Sequence, residues 1–112
     1  MNLIEELKST LRMEVRGNSH GHEYLEAVVV GENLELLRSL LVKHLGLAAK
    51  EPEKEVALSP NIQGLVDSLG GLRVGQSFFY KKNGEGLVCY AALWPWESNP
   101  EKVTLKTGLA LV

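Results

Sequence analysis

The run of apolar and small side chains from residue 87 to residue 94 constrains the fold more than any other feature of the sequence. It reads Leu-Val-Cys-Tyr-Ala-Ala-Leu-Trp, so both of its alternating faces are apolar. A strand with one face in water alternates apolar and polar residues, whereas a strand buried on both faces is apolar throughout. The run therefore predicts a central strand with both of its faces covered.

A hairpin is predicted to connect this strand to the strand before it. Residues 76–82 and 86–94 flank Asn83-Gly84, and Asn-Gly is the strongest short-range hairpin signal. A two-residue or a four-residue turn leaves the same side chains on each face, and only a bulged, odd-length loop would invert them. With an even turn, one face carries Phe78, Tyr80, Leu87, Cys89, Ala91 and Leu93, and the other carries Phe79, Lys81, Val88, Tyr90, Ala92 and Trp94.

A third strand follows from residue 103 to residue 111 and completes a C-terminal β-meander. Its apolar residues alternate with polar ones, which is typical of a half-buried strand. The residues of one alternating set are Val103, Leu105, Thr107, Leu109 and Leu111, and those of the other include Lys102, Thr104 and Lys106.

The first 33 residues predict a helix, a loop and a strand. A helix is predicted from Asn2, a candidate N-cap, to about Arg12, because the apolar residues between them recur at helical spacing. We favour a continuation of this helix through residues 11–16, although Leu, Met and Val alternate there as they would in a strand. Residues 17–22 have the composition of a loop, and residues 23–30 end in three valines and predict a strand.

Two further helices are predicted in the middle of the chain. The first runs from Leu34 to Leu45, with Asn33 as its cap and a glycine after its end. The second starts at Ser59-Pro60, carries one apolar stripe and ends at Gly70-Gly71. The order α-β-α-α-β-β-β predicts an α+β fold, in which a mainly antiparallel sheet packs against two or three helices.

Length and composition predict one soluble domain spanning residues 1–112. The net charge is −2 and the two signs are interspersed, so the electrostatic footprint of a duplex nucleic-acid binder is absent. No signal peptide and no membrane-spanning run is indicated. Cys89 is the only cysteine, which excludes an internal disulfide, and a cytoplasmic location is the simplest interpretation.

The second face of the central strand is the predicted functional surface, and it has three possible covers. The first is one of the protein's own helices or the long connection before Ser59. The second is another copy of the chain, because aromatic side chains are enriched in such interfaces. The third is a small-molecule ligand in an aromatic groove. The ligand or interface residues predicted here are Phe79, Tyr90, Trp94 and Trp96.

Histidines provide a second candidate site. His20, His22 and Glu23 are close in sequence and can share a metal ion, with His44 as a further candidate ligand. The spaced pairs of a zinc signature are missing, so we favour solvent-exposed loop histidines. For His44 we favour a structural role at the end of its helix, donating to the last carbonyls.

Two apparent nucleophiles do not predict a reaction. Residues 17–21 match the G-x-S-x-G pattern of serine hydrolases, but a strand follows where that motif requires a helix. No basic residue adjoins Cys89 in sequence to lower its pKa, so it is interpreted as an inert core thiol.

The sequence therefore favours a binding or assembly protein that forms a homodimer and uses no cofactor. A small-molecule or protein partner is a further possibility. The alternative is a small metal-binding protein or enzyme with its polar site at the histidine loop.

Overall fold

The computed structural model describes residues 3–17, 19, 23–54, 56–84, 86–99 and 101–111. Its helices are α1 (Leu3–Thr10), α2 (Leu34–Leu45) and α3 (Pro60–Leu69), with a short 3₁₀ turn at Gly31–Asn33 before α2. Its strands are β1 (Glu14–Val15), β2 (Tyr24–Val30), β3 (Ser77–Lys82), β4 (Leu87–Pro95) and β5 (Lys102–Leu111). None of the helices in these residues is long and apolar enough to cross a membrane.

The five strands form one antiparallel sheet in the order β1-β2-β5-β4-β3. Strand β4 lies inside the sheet between β3 and β5, as its apolar composition predicts. The α+β class, the mainly antiparallel sheet, the C-terminal meander and the three helices are all confirmed. The additional strand β1 changes the predicted order to α-β-β-α-α-β-β-β.

The prediction that the first helix continues through residues 11–16 is wrong. Helix α1 ends at Thr10, although the Leu11 amide still donates to the Leu7 carbonyl. Glu14 and Val15 then pair with Val28 and Ala27 of β2. The reason is tertiary: the edge of β2 offers unpaired backbone groups, and pairing them outweighs a weak local preference for helix.

The predicted assignment of side chains to the two faces of the β3–β4 hairpin is also wrong. Phe78 lies opposite Ala92 and Phe79 lies opposite Ala91. The Asn83 amide donates to the Leu87 carbonyl, which leaves three residues in the turn, and both Gly84 and Gly86 have positive φ. This odd-length loop inverts β3 relative to β4.

Both faces of the sheet carry a hydrophobic core. On the first face, α1 and α2 pack against side chains from β2, β3, β4 and β5. On the second face, α3 packs against side chains of β3 and β4. The first core includes Leu7, Leu37, Leu41, Leu25, Val29, Phe79, Ala91 and Leu105, and the second includes Ile62, Leu65, Val66, Phe78, Val88, Tyr90 and Ala92. The chain therefore forms three layers, helices–sheet–helix.

The outer edge of β3 is paired at Phe78 by the connection between α2 and α3. The amides of Ala49 and Lys50 donate to the Phe78 carbonyl, and the Phe78 amide donates to the Lys50 carbonyl. The Lys50 side chain is buried, and its ammonium group donates to the carbonyls of Glu51, Val74 and Gln76. This edge is therefore covered at Phe78 rather than presented to other chains.

Candidate functional site

The structure separates the four aromatic residues that the sequence predicts as one surface. Phe79 is 1% exposed and lies in the first-face core against α1 and α2. Tyr90 is 5% exposed and lies in the second-face core under α3. Trp94 packs against that core and is partly exposed, and Trp96 is partly exposed further out. The second face of β4 is therefore covered mainly by the protein's own helix, which was the first of the three predicted covers.

Trp94 is held between α3 and β5. Its ring packs so closely on Gly70, the residue after α3, that a Cβ at Gly70 would lie 2.9 Å from Trp94 Cη2. On β5, the Lys106 ammonium lies 3.8 Å from the centroid of the Trp94 ring and donates to the Leu69 carbonyl. These contacts fix the end of α3 on the sheet.

Trp96 lies further out, over β5. Its Nε1 donates to Thr104 Oγ1 at 2.9 Å, and the Lys102 ammonium lies 5.1 Å from the centroid of its ring. With Trp94 and Thr104 it lines a shallow cleft of about 480 Å³. The indole nitrogen of Trp94 is buried there without a hydrogen-bond partner among the described residues. The cleft combines aromatic surface, the exposed Arg73–Glu97 ion pair and one buried donor.

Beyond this cleft, part of the second face lies outside the core that α3 forms. Among the described residues, that core contains side chains of β3, β4 and the end of β5, and none of β2. We call the second-face side chains of β2 and of residues 102–108 of β5 the open half-face. They are Tyr24, Glu26, Val28, Val30, Lys102, Thr104, Lys106 and the side-chain-free Gly108. Val30 is exposed, Val28 and Gly108 are buried, and the others are half-buried.

The open half-face is ordered by contacts within the sheet. The Tyr24 hydroxyl donates to Glu26 Oε1 at 2.8 Å, and burial, with Glu26 as a second cause, raises the pKa of Tyr24. Gly108 lies opposite Tyr24, and a Cβ at Gly108 would be 2.5 Å from the Glu23 carbonyl oxygen. A second shallow depression of about 530 Å³ lies beside Val28, Val30 and Lys102. The half-face is therefore a preformed surface with mixed polar and apolar character.

The histidine predictions have different outcomes. His20 and His22 lie outside the described residues, and the metal site predicted from them stays a prediction. Glu23 is exposed, and its carbonyl accepts from the Leu109 amide. Within the part of the chain that the structure describes, no group of three potential metal-binding side chains occurs.

His44 has a structural partner that the sequence does not reveal. Its Nε2 lies 2.6 Å from Oε1 of Glu6, a residue of α1, and the same carboxylate accepts from Lys43 Nζ at 3.0 Å. The hydrogen bonds from His44 and then Lys43 lower the pKa of Glu6. His44 therefore joins α2 to α1, whereas its position at the helix end predicts bonds to the carbonyls of its own helix.

Cys89 lies on the first face opposite Lys81 and is half-buried. Burial raises the pKa of its thiol, so the thiol is protonated at neutral pH. This agrees with the interpretation of Cys89 as an inert thiol.

Comparison of the chain with protein-family models, with curated protein sequences and with solved structures gives no significant match.

Proposed function

We propose that this protein is a non-enzymatic assembly protein that forms a homodimer through the open half-face. The observation that carries the proposal is the unequal cover of the sheet: α3 covers β3 and β4 on the second face, and the half formed by β2 and β5 is left outside its core. Exposed aromatic and aliphatic side chains on one face are typical of protein interfaces.

Aromatic and aliphatic groups provide the contact area. Trp96 is only partly covered by Lys102 and Thr104, and Val30 is 40% exposed at the end of β2. Tryptophan at the centre of an interface contributes a large share of the binding free energy. We infer that Trp96 and Val30 become buried in the dimer.

The charges of the open half-face favour a second copy of the chain as the partner. Lys102 and Lys106 lie on β5, and Glu26 lies on the neighbouring β2 at the level of Lys106. The Lys106 ammonium also contacts the Trp94 ring and the Leu69 carbonyl within its own chain. A two-fold axis parallel to the strands, between β2 and β5, would place the lysines of each copy over the β2 side of its mate. Opposite charges facing each other in this way favour association in one register.

The charges on the neighbouring β1 do not oppose this arrangement. Glu14 is on the second face opposite Val28 and forms an exposed ion pair of 3.8 Å with Arg16. An exposed pair of this kind contributes little energy and leaves the local charge near zero. The proposal retains the cytoplasmic location expected from a single cysteine.

Sedimentation equilibrium over a wide concentration range tests the proposal. We expect the mass of a dimer for the unchanged chain, and a shift toward monomer for Trp96→Ala and Val30→Asp. Val42→Asp is the matched control, because Val42 on the outer side of α2 is 41% exposed and lies away from the open half-face. A monomer at every concentration, or equal effects of Val30→Asp and Val42→Asp, would refute the proposal.

A further inference from the structure

A separate cleft lies on the opposite, first face of the sheet, where the start of α1 and the last turn of α2 meet the strands. Its volume is about 270 Å³. Four aliphatic side chains line it, namely Leu3, Ile4, Leu45 and Leu109, and the polar groups around them include His44 and Lys81. Pockets with apolar walls and a few polar groups are the usual form of a small-molecule site.

Two polar side chains of this cleft, His44 and Lys81, differ in whether they already contact a carboxylate of the protein. His44 Nε2 is held by the Glu6 carboxylate at 2.6 Å, so only its other ring nitrogen can reach a ligand. The Lys81 side chain is exposed, and within the described ranges no carboxylate lies within ion-pair distance of its ammonium group. Counting only the described residues, the cleft therefore offers the Lys81 ammonium without a carboxylate partner beside an apolar wall.

We propose that this cleft binds a small monocarboxylate with a short hydrocarbon chain. The carboxylate pairs with the Lys81 ammonium, and the hydrocarbon chain lies against Leu3, Ile4 and Leu45. Charge complementarity selects the anion, and the aliphatic walls select a chain over a polar metabolite. Glu6 and Lys43 position His44 without lining the cleft themselves.

The proposal does not depend on the homodimer. Lys81 and Cys89 face the layer of α1 and α2, whereas the open half-face is on the other side of the sheet. Loss of self-association would leave binding in the cleft unchanged, so the two proposals fail separately.

Cys89 provides a reporter for the experiment because it lines the same cleft. We expect octanoate to slow the alkylation of Cys89 by iodoacetamide, a neutral reagent, and calorimetry to give a matching dissociation constant. Each methylene from butanoate to octanoate that enters the cleft should raise affinity by roughly fourfold. Octylamine, with the same number of carbon atoms and the opposite charge, should bind roughly tenfold more weakly, because repulsion replaces attraction to Lys81.

Two neighbouring lysines form a matched pair of variants. Lys81→Gln should weaken octanoate binding by roughly fivefold, the upper end for an exposed ion pair. Lys82→Gln should leave it unchanged, because Lys82 is opposite Val88 on the other face. Equal effects of the two substitutions, equal binding of octylamine, or heat of binding without protection of Cys89 would each overturn the proposal.

Discussion

The two faces of the sheet are closed to different extents. On the first face, two helices cover side chains from β2, β3, β4 and β5. On the second face, one helix of ten residues covers β3 and β4, and the side chains of β2 there lie outside its core. One helix is too narrow for a five-stranded sheet, since a helix with its side chains is about 10–12 Å wide and strands lie about 4.8 Å apart.

The contacts that hold the helices in place also differ between the two faces. On the first face the helices are joined to each other, because Glu6 of α1 bonds both Lys43 and His44 of α2. On the second face, α3 has no helical neighbour among the described residues, and its end is held by Trp94 and Lys106 of the sheet. Two helices therefore cover the first face, whereas α3 on the second face packs against β3, β4 and the end of β5.

The largest expected effect is on the free energy of unfolding, and it distinguishes the two halves of the second face. Phe78→Ala should lower the free energy of unfolding by roughly 3–5 kcal/mol, because Phe78 is fully buried under α3 and truncation leaves a cavity. Val30→Ala on the open half-face should change it by less than about 0.5 kcal/mol in the monomer. Denaturant unfolding at low protein concentration measures both values. Similar losses for the two variants would show that the open half-face is also a packed core.

A pair of glycine substitutions sharpens the same contrast. Gly108→Ala should destabilise the monomer by roughly 1–3 kcal/mol, because its Cβ would press on the Glu23 carbonyl where β2 and β5 meet. Gly64→Ala in α3 should stabilise it by roughly 0.5–1 kcal/mol, because open space surrounds that position and alanine favours helix. Thermal unfolding of the two variants tests the sign of each effect. If Gly108→Ala were neutral, the close pairing of β2 and β5 would be wrong.

The smallest expected effect is on the pH dependence of stability, through the contacts of Glu6 in α1 with Lys43 and His44 in α2. The lowered pKa of Glu6 means that its ionised form is favoured in the folded state. Its contribution to stability is full above the unfolded pKa of 4.5 and is lost as the pH falls through the lower, folded value. We expect the unchanged chain to lose more stability than Glu6→Gln between pH 6 and pH 3. Parallel pH profiles of unfolding would contradict the role of Glu6.

The strand and helix positions could be predicted largely from local patterns. The bounds of α2 match the prediction from Leu34 to Leu45, and Gly46 follows the last turn with positive φ. The glycine pair after α3 is confirmed in the same way, since Gly70 is left-handed. Neither Asn33 nor Ser59 makes the side-chain capping bond expected of it, although each stands directly before its helix. Periodicity and glycine chemistry were sufficient for these elements because both act over a few residues.

The faces and the site could not be predicted because they depend on distant contacts. The inversion of the hairpin depends on one residue in a turn with two positive-φ glycines, and a single-residue slip exchanges the faces of a strand. The cover of Tyr90 depends on which face α3 packs against, and the stripe of Ile62, Leu65 and Val66 fits either face. The partner of His44 is 38 residues away in sequence. No local pattern records such pairings.

The pairing of the β3 edge at Phe78 bears on how this protein can assemble. Open strand edges lead to aggregation because each added chain exposes a new edge to the next. Here the connection through Ala49 and Lys50 occupies the edge at Phe78, and the opposite edge strand, β1, has only two residues. A contact between two sheet faces about a two-fold axis buries the same surface on both copies, so that surface cannot bind a third copy. Association through the open half-face would therefore stop at a pair instead of producing filaments.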